Sequence, residues 1–419
     1  MAASTRHRIT VGPVAFVRQV FRRLLGPDRR GLSQSLLALS ILAIATVGAG
    51  LVLGHGTERL DELPGLLLLV PAAIALRGNI FGALGSRLGT SIHTGNYRLS
   101  LRFESVVGAN VWASVVLTFV VSAVVAVGAK AAAVIFGLPD TMTIRQFLVI
   151  SVLGGLMASV VVLLVALALT SGSVRYGWDP DNVTAPLVTA AGDLATLPAL
   201  LIAGTLVTHS TIVDVTSVGV VAITLVALAM TIFRAPRLLR LIVMESIPVL
   251  IVAGLLDLVA GVTVEKQLVD LQLFPALLVL LPGYLAAAGA LGGILSSRLS
   301  SKLHLGLLVP TARPSNAAWS DVGATFALAV PVFGLVAIAS HYGSSWSGLA
   351  SPGVGDMVSA VLIGGVIATA IVVMVAYYGT IAAVHFGADP DTYGIPLVTS
   401  VLDLVGAFTF VLAINWVVF

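Results

Sequence analysis

The chain contains no cysteine among its 419 residues, which excludes disulfides, thiolate metal sites and cysteine nucleophiles together. Charge is nearly as scarce, at 10% of residues, and aromatic residues make up only 6%. What remains is apolar: 58% of the chain is hydrophobic and the mean hydropathy is +1.07. Such a composition excludes a soluble domain and predicts an all-α polytopic membrane protein. A net charge of +3 gives no reason to expect a nucleic-acid partner. At about 20 residues per crossing, the length accommodates roughly ten to twelve helices.

The first 33 residues are basic and run into an apolar segment without a clear cleavage site, so they are expected to persist as a tail. Seven arginines (Arg6, Arg8, Arg18, Arg22, Arg23, Arg29, Arg30) lie among apolar residues there, as in a helix resting on anionic membrane lipid or a disordered basic tail. Apolar runs predict eleven spans: 34–54, 64–92, 106–128, 146–170, 183–207, 213–233, 245–263, 274–303, 318–340, 357–380 and 393–417. The second and eighth are long and glycine-rich, and are expected to be tilted, kinked or broken. An amino terminus on the cytoplasmic side places seventeen Lys and Arg inside and four outside, with Arg77 left within a span. The positive-inside bias therefore predicts a cytoplasmic amino terminus and an extracytoplasmic carboxy terminus in the cell membrane.

One unusual segment occurs twice. Residues 177–194 read GWDPDNVTAPLVTAAGDL and residues 387–404 read GADPDTYGIPLVTSVLDL, with ten identities in eighteen positions. A second pair, PAAIALRGNIFGALGSRLGTSIHTG from Pro71 and PGYLAAAGALGGILSSRLSSKLHLG from Pro282, matches at an offset of 211. Spans one to five thus match spans seven to eleven, and span six has no counterpart. An odd-numbered unit followed by one further crossing keeps its copy in the same orientation. The expected organisation is a tail (1–33), a first five-helix repeat (34–208), a linker helix (209–240) and a second repeat (241–419). Parallel copies imply a pseudo-twofold axis along the membrane normal, a pseudo-dimer within one chain.

Asp193 and Asp403 stand within apolar spans at equivalent positions. A carboxylate there costs at least about 3 kcal/mol unless a cation, an arginine or water accompanies it. Thr189 and Thr399 precede them by four residues and share their helix faces. Two such acids meeting on the axis would repel, and a divalent cation would relieve the repulsion. The alternative is a salt bridge from Arg77 to Asp193, which the second copy cannot form because Ala288 replaces the arginine. Carboxylate, hydroxyl, amide and carbonyl oxygens select hard cations such as Mg2+, Ca2+ or Mn2+. Asn79 offers an amide beside Gly78; its equivalent, Ala290 after Gly289, does not. Asp179, Asp181, Asp389 and Asp391 are expected at the cytoplasmic mouth, gathering cations or capping helices. His93 and His304 recur at helix ends as interfacial residues, while Asp257, Glu245, Glu104 and Asp321 have no acidic counterpart in the other copy.

The runs DPDNVTAPLVTAAGDL and LRGNIFGALGSRLGT resemble signature segments of the solute carrier 41 branch of the MgtE magnesium transporter superfamily, in its prokaryotic form with two fused integral domains. The resemblance spans both repeats. It implies a divalent cation pathway, chiefly for Mg2+, between two five-helix units. Mn2+, Ca2+ and Co2+ are candidate further ions, and no cofactor is implied beyond the transported ion. It also implies that the fifth-helix acid, here Asp193 and Asp403, is a principal metal-site residue, and that Gly78 and Asn79 match the family's second-helix element; Gly289 followed by Ala290 departs from it. Gating by cytoplasmic metal-sensing domains is not expected, since 33 residues precede the first span. A passive channel and a sodium- or proton-coupled carrier both remain open, since each uses intramembrane acids. An intramembrane enzyme with an aspartate dyad is the alternative of another class.

Overall fold

A computed structural model describes residues 29–93, 95, 97–176, 180–304, 306–311, 313–385 and 395–419. Every regular element among them is helical: α1 (Arg29–His55), α2 (Thr57–Glu62), α3 (Leu66–His93), α4 (Val106–Ile135), α5 (Ile144–Val149), α6 (Gly155–Tyr176), α7 (Pro180–Thr205), α8 (Ser210–Arg234), α9 (Arg237–Glu265), α10 (Leu268–Leu273), α11 (Pro275–His304), α12 (Asn316–Trp346), α13 (Val354–His385) and α14 (Ile395–Val417). A π-helical turn, Ile150–Gly154, joins α5 to α6, and a short 3₁₀ turn follows α7. Eleven helical segments among the described residues are long and apolar enough to cross a membrane, one for each expected span. The chain is an all-α polytopic membrane protein of two parallel repeats.

Local sequence sets the helix ends. Ser105 caps α4 by accepting from the Gly108 N–H, and Ser315, 210 residues on, caps α12 through the Ala318 N–H. Thr143 and Gln146 form a reciprocal capping box at the start of α5. Of the tilt, kink or break expected in spans two and eight, the break does not occur. Both α3 and α11 run continuously, with Pro71 and Pro282 accommodated near their starts. A proline this early removes only one bond from the first turns, which the rest of the helix tolerates.

The first helices of the two copies exchange partners. α1 packs on α11 and α12 of the second copy, and α9 packs on α3 and α4 of the first. Each also stays beside the fifth helix of its own copy, α1 against α7 and α9 against α14. Glycine makes these crossings possible. A Cβ on Gly50 would stand 2.0 Å from the Val279 carbonyl oxygen, and one on Gly261 would stand 2.2 Å from that of Leu68. Both glycine positions and both carbonyl positions differ by 211 residues, so one contact is the image of the other. The axis relating them is marked where equivalent residues meet: Gln272 on α10 donates to Asp61 on α2 at 2.9 Å. The unmatched α8 lies against α4 and α5, with only 22% of its most apolar stretch buried.

Candidate cation site

In each copy the second helix lies against the fifth, α3 on α7 and α11 on α14. The glycines expected there are the contact points. A Cβ on Gly78 would come 3.9 Å from the Thr189 methyl. At Gly289 the same addition would meet the Thr399 methyl at 3.4 Å and Asp403 Oδ1 at 3.5 Å. One turn further along each second helix, Gly82 and Gly293 have no atom within 4 Å of where a Cβ would be. These residues share a helix face with Gly78 and Gly289, and the space beside them on that face is open.

Asp193 and Asp403 are buried, at 3% and 8% exposure, and interact electrostatically with each other. The equivalent acids of the two copies thus lie within electrostatic range of one another. Among the described residues neither forms an ion pair, and Asp193 Oδ2 is buried without a hydrogen-bond partner. Asn79 Nδ2 is likewise buried and unpartnered. Leaving such groups unsatisfied inside a bilayer costs several kcal/mol: the Asp193 oxygen is a position for a cation or a water, and the Asn79 amide, a donor, for a water.

The salt bridge considered between Arg77 and Asp193 is not formed. Arg77 starts beside α7, where a Cβ on Gly192 would meet its Cβ at 3.4 Å. Its guanidinium then turns the other way, into a pocket between α4 and α6. Nη1 donates to the Gly155 carbonyl at 2.6 Å and Ser159 Oγ at 2.8 Å, and Nη2 donates to Ser122 Oγ at 2.9 Å. Gly155 follows the π turn directly, and an added Cβ there would lie 3.0 Å from the guanidinium nitrogens. In the second copy the matching Gly365 packs against Phe333, which stands where Ser122 stands in the first.

A third acid joins the pair that the sequence motifs single out. Asp257 on α9 is fully buried; its Oδ2 accepts from Ser400 Oγ at 3.1 Å, its Oδ1 has no partner, and it interacts electrostatically with Asp403. The repeat hides it, because Thr46 occupies its place in α1 and Ala190 that of Ser400 in α7. A mid-span acid followed in another span by Asp-compatible hydroxyls was the available signal. Among the described residues no three or more acids and histidines are grouped closely enough to hold a metal by themselves. A cation between these acids would therefore rely on neutral oxygens and retained water, as Mg2+ commonly does.

Other acids have structural partners. Asp321 pairs with Lys302 at 2.5 Å and lies 3.8 Å from Arg298, while Glu245 interacts with Arg87. Arg87 Nε also donates to Asn110 Oδ1 at 2.7 Å, the first-copy counterpart of Arg298 beside Asp321. Asp179, Asp389 and Asp391 lie outside the described residues, as do the side chains of Asp181, His93 and His304.

Comparison with known proteins agrees with this architecture. The chain is 25% identical over 281 residues to solute carrier family 41 member 3 of Rattus norvegicus, covering 64% of this chain and 59% of that protein. It is 27% identical over 291 residues to member 2 of Homo sapiens, covering 65% and 50%. The chain thus spans about half to three-fifths of the length of these relatives. No solved structure gives a significant match. The model of the MgtE family, described as divalent cation transporter, matches residues 70–203 and again 281–413, one stretch in each repeat. With more than half of its residues in those two matches, the chain belongs to the MgtE family of divalent cation transporters, which are not enzymes.

Proposed function

We propose that this protein passes divalent cations, chiefly Mg2+, across the cell membrane along the interface of its two repeats. The first repeat spans residues 34–208, the linker helix 209–240 and the second repeat 241–419. Asp193 and Asp403 bind the ion directly or through its water. Thr189, Thr399, Asn79 and carbonyls near Gly78 and Gly289 complete an oxygen shell, and Asp179, Asp181, Asp389 and Asp391 gather cations at the cytoplasmic mouth. The amino terminus is cytoplasmic and the carboxy terminus extracytoplasmic.

The observation that carries this reading is the pair of equivalent, buried acids that repel one another and form no ion pair among the described residues. A divalent cation converts that repulsion into attraction to both. At an effective dielectric constant of 20, two unit charges 4 Å apart interact by about 4 kcal/mol, and a doubly charged ion gains about twice that from each acid before its dehydration is counted. Oxygen-only donors favour Mg2+, with Mn2+, Ca2+ and Co2+ as competitors.

The test is Mg2+ flux into liposomes containing the purified protein, without a sodium or proton gradient. Wild type is expected to carry Mg2+ down its gradient, and Asp193→Ala and Asp403→Ala to lose that flux while remaining folded in the membrane. Normal flux in both variants refutes the site. Flux that requires an imposed sodium or proton gradient identifies a coupled carrier instead of a passive pathway.

A further inference from the structure

Two charged residues in the membrane interior have no counterpart in the other copy. Asp257 is matched by Thr46, and Arg77 by Ala288. Asp257 lies beside one member of the duplicated acid pair, and Arg77 adjoins the helix of the other through its Cβ while its guanidinium lies against α4 and α6. Asp257 bonds Ser400, three residues before Asp403, and interacts with Asp403 itself. Arg77 packs its Cβ against Gly192, immediately before Asp193. Both are essentially fully buried, at 0% and 1% exposure. Neither is neutralised by an ion pair among the described residues: Arg77 is held by a carbonyl and two hydroxyls, with Nε left unpartnered, and Asp257 by one hydroxyl, with Oδ1 left unpartnered.

Ordinary packing does not call for either charge. The second copy fills the position opposite Gly365 with the Phe333 ring, which lies tilted by 42° against Tyr284 with ring centroids 5.0 Å apart. An aromatic solution to the same space was therefore available to the first copy, where an arginine, two serines and a π turn stand instead. In a bilayer interior, fields reach further than in water, and charges act on one another without contact. The duplicated acids supply two negative charges. Asp257 adds a third on the Asp403 side, and Arg77 subtracts one on the Asp193 side.

Resting on the divalent-cation reading above, we propose that Asp257 is a third cation-facing carboxylate and that Arg77 is the fixed counter-charge that cancels it. The net interior charge then stays at two negative, the value one divalent cation neutralises, with its centre displaced toward Asp403. A stronger net charge would hold the ion too long for turnover, and a weaker one would not draw it out of water. Arg77 is a positioning charge in this scheme, touching no cation, while Asp257 faces it.

The test is a charge-compensation cycle on the purified full chain. Binding is read from the free Mn2+ electron-paramagnetic-resonance signal with Mg2+ as competitor, and transport from Mg2+ flux in liposomes. Asp257→Asn is expected to weaken Mn2+ binding by about tenfold or more, the effect of one unit charge on a divalent ion across several ångströms of protein. Arg77→Gln, which keeps a donor for the Gly155 carbonyl, is expected to tighten binding by about tenfold and to slow flux. The double variant should return to within about threefold of wild type, since the two field changes oppose one another. Arg77→Lys should retain wild-type affinity, and it replaces Arg77→Gln as the arginine test if the latter does not fold.

Several results overturn the inference: wild-type binding in Asp257→Asn, weaker binding in Arg77→Gln, or a double variant weaker than either single. So does Arg77→Lys binding differently from wild type while folded. The underlying site reading is judged separately by Asp403→Asn. Undiminished Mn2+ binding there removes the site itself, whereas loss of binding there with a failed cycle removes only the role of Asp257 and Arg77.

Discussion

Substituting Gly50 or Gly261 by alanine tests the exchange of first helices directly. The added methyl would stand 2.0 Å from the Val279 carbonyl oxygen in one case and 2.2 Å from that of Leu68 in the other. Carbon and carbonyl oxygen come no closer than about 3.3 Å even in weak C–H···O contacts, so each helix pair must open by about 1.1–1.3 Å. Neither obstacle can rotate aside, because both are backbone atoms within helices. Overpacking of this kind costs about 1–3 kcal/mol or more, against about 1 kcal/mol recovered from the better helix propensity of alanine. The assay is thermal unfolding of the purified protein in detergent, followed by tryptophan fluorescence. Both variants should unfold below alanine variants that meet no obstacle, by about 1 °C for each kcal/mol of clash in a chain of this length, and by similar amounts because the contacts are images of one another. Gly219→Ala and Gly334→Ala serve as controls, since a Cβ at either position meets nothing within 4 Å. Gly50→Ala and Gly261→Ala unfolding with the controls would falsify the close crossing of α1 on α11 and α9 on α3.

Gly82 and Gly293 should behave in the opposite way: with open space beside both, leucine there is expected to leave the unfolding temperature within about 2 °C but to reduce Mg2+ flux severalfold, and unchanged flux would show that this space is not on the path. The axis contact offers a clean cross-linking test because the chain has no cysteine. Asp61→Cys combined with Gln272→Cys, at positions whose side chains now meet at 2.9 Å, should be bridged by a short bis-maleimide that holds the two halves together after proteolysis between them. Separation of the halves under those conditions contradicts the pseudo-twofold arrangement. Breaking the exposed Arg145–Asp214 pair that ties α5 to α8 by Arg145→Ala should change stability by less than about 1 kcal/mol, with flux unaltered.

The spans were legible because bilayer crossing is decided mainly by apolar length, which composition records directly. The repeat was legible because the motifs around Asp193 and Asp403 kept their spacing, whereas the closeness of Gly78 to Thr189 and of Gly289 to Thr399 emerges only in the fold. Which helices pack together was not legible. Gly50 and Gly261 show in the sequence that a close approach is tolerated there, but not which helix makes it, so the pairing of α1 with α11 emerges only in three dimensions. The direction of Arg77 was hidden for a similar reason. From a backbone beside Gly192 its long side chain can reach either Asp193 or the oxygens of α4 and α6, and the choice depends on a carbonyl placed by the π turn. Asp257 carries no signal from the repeat, because it is one of the residues on which the copies differ, with Thr46 at the matching position.

That difference follows from the architecture itself. Because α9 crosses to the first copy yet remains beside α14, a residue on its inner face can reach the shared interface and its own copy's acid helix at once. A symmetric homodimer could alter such a position only twice over, adding two charges to the axis together. Fusing the copies through α8 removes that constraint: Asp257 can appear without a partner at Thr46, and Arg77 without one at Ala288. A single unmatched charge in hydrocarbon would be costly, and two of opposite sign on opposite halves leave the total unchanged while giving the site a direction. The extra crossing that keeps the repeats parallel thus also permits them to become unequal where they meet.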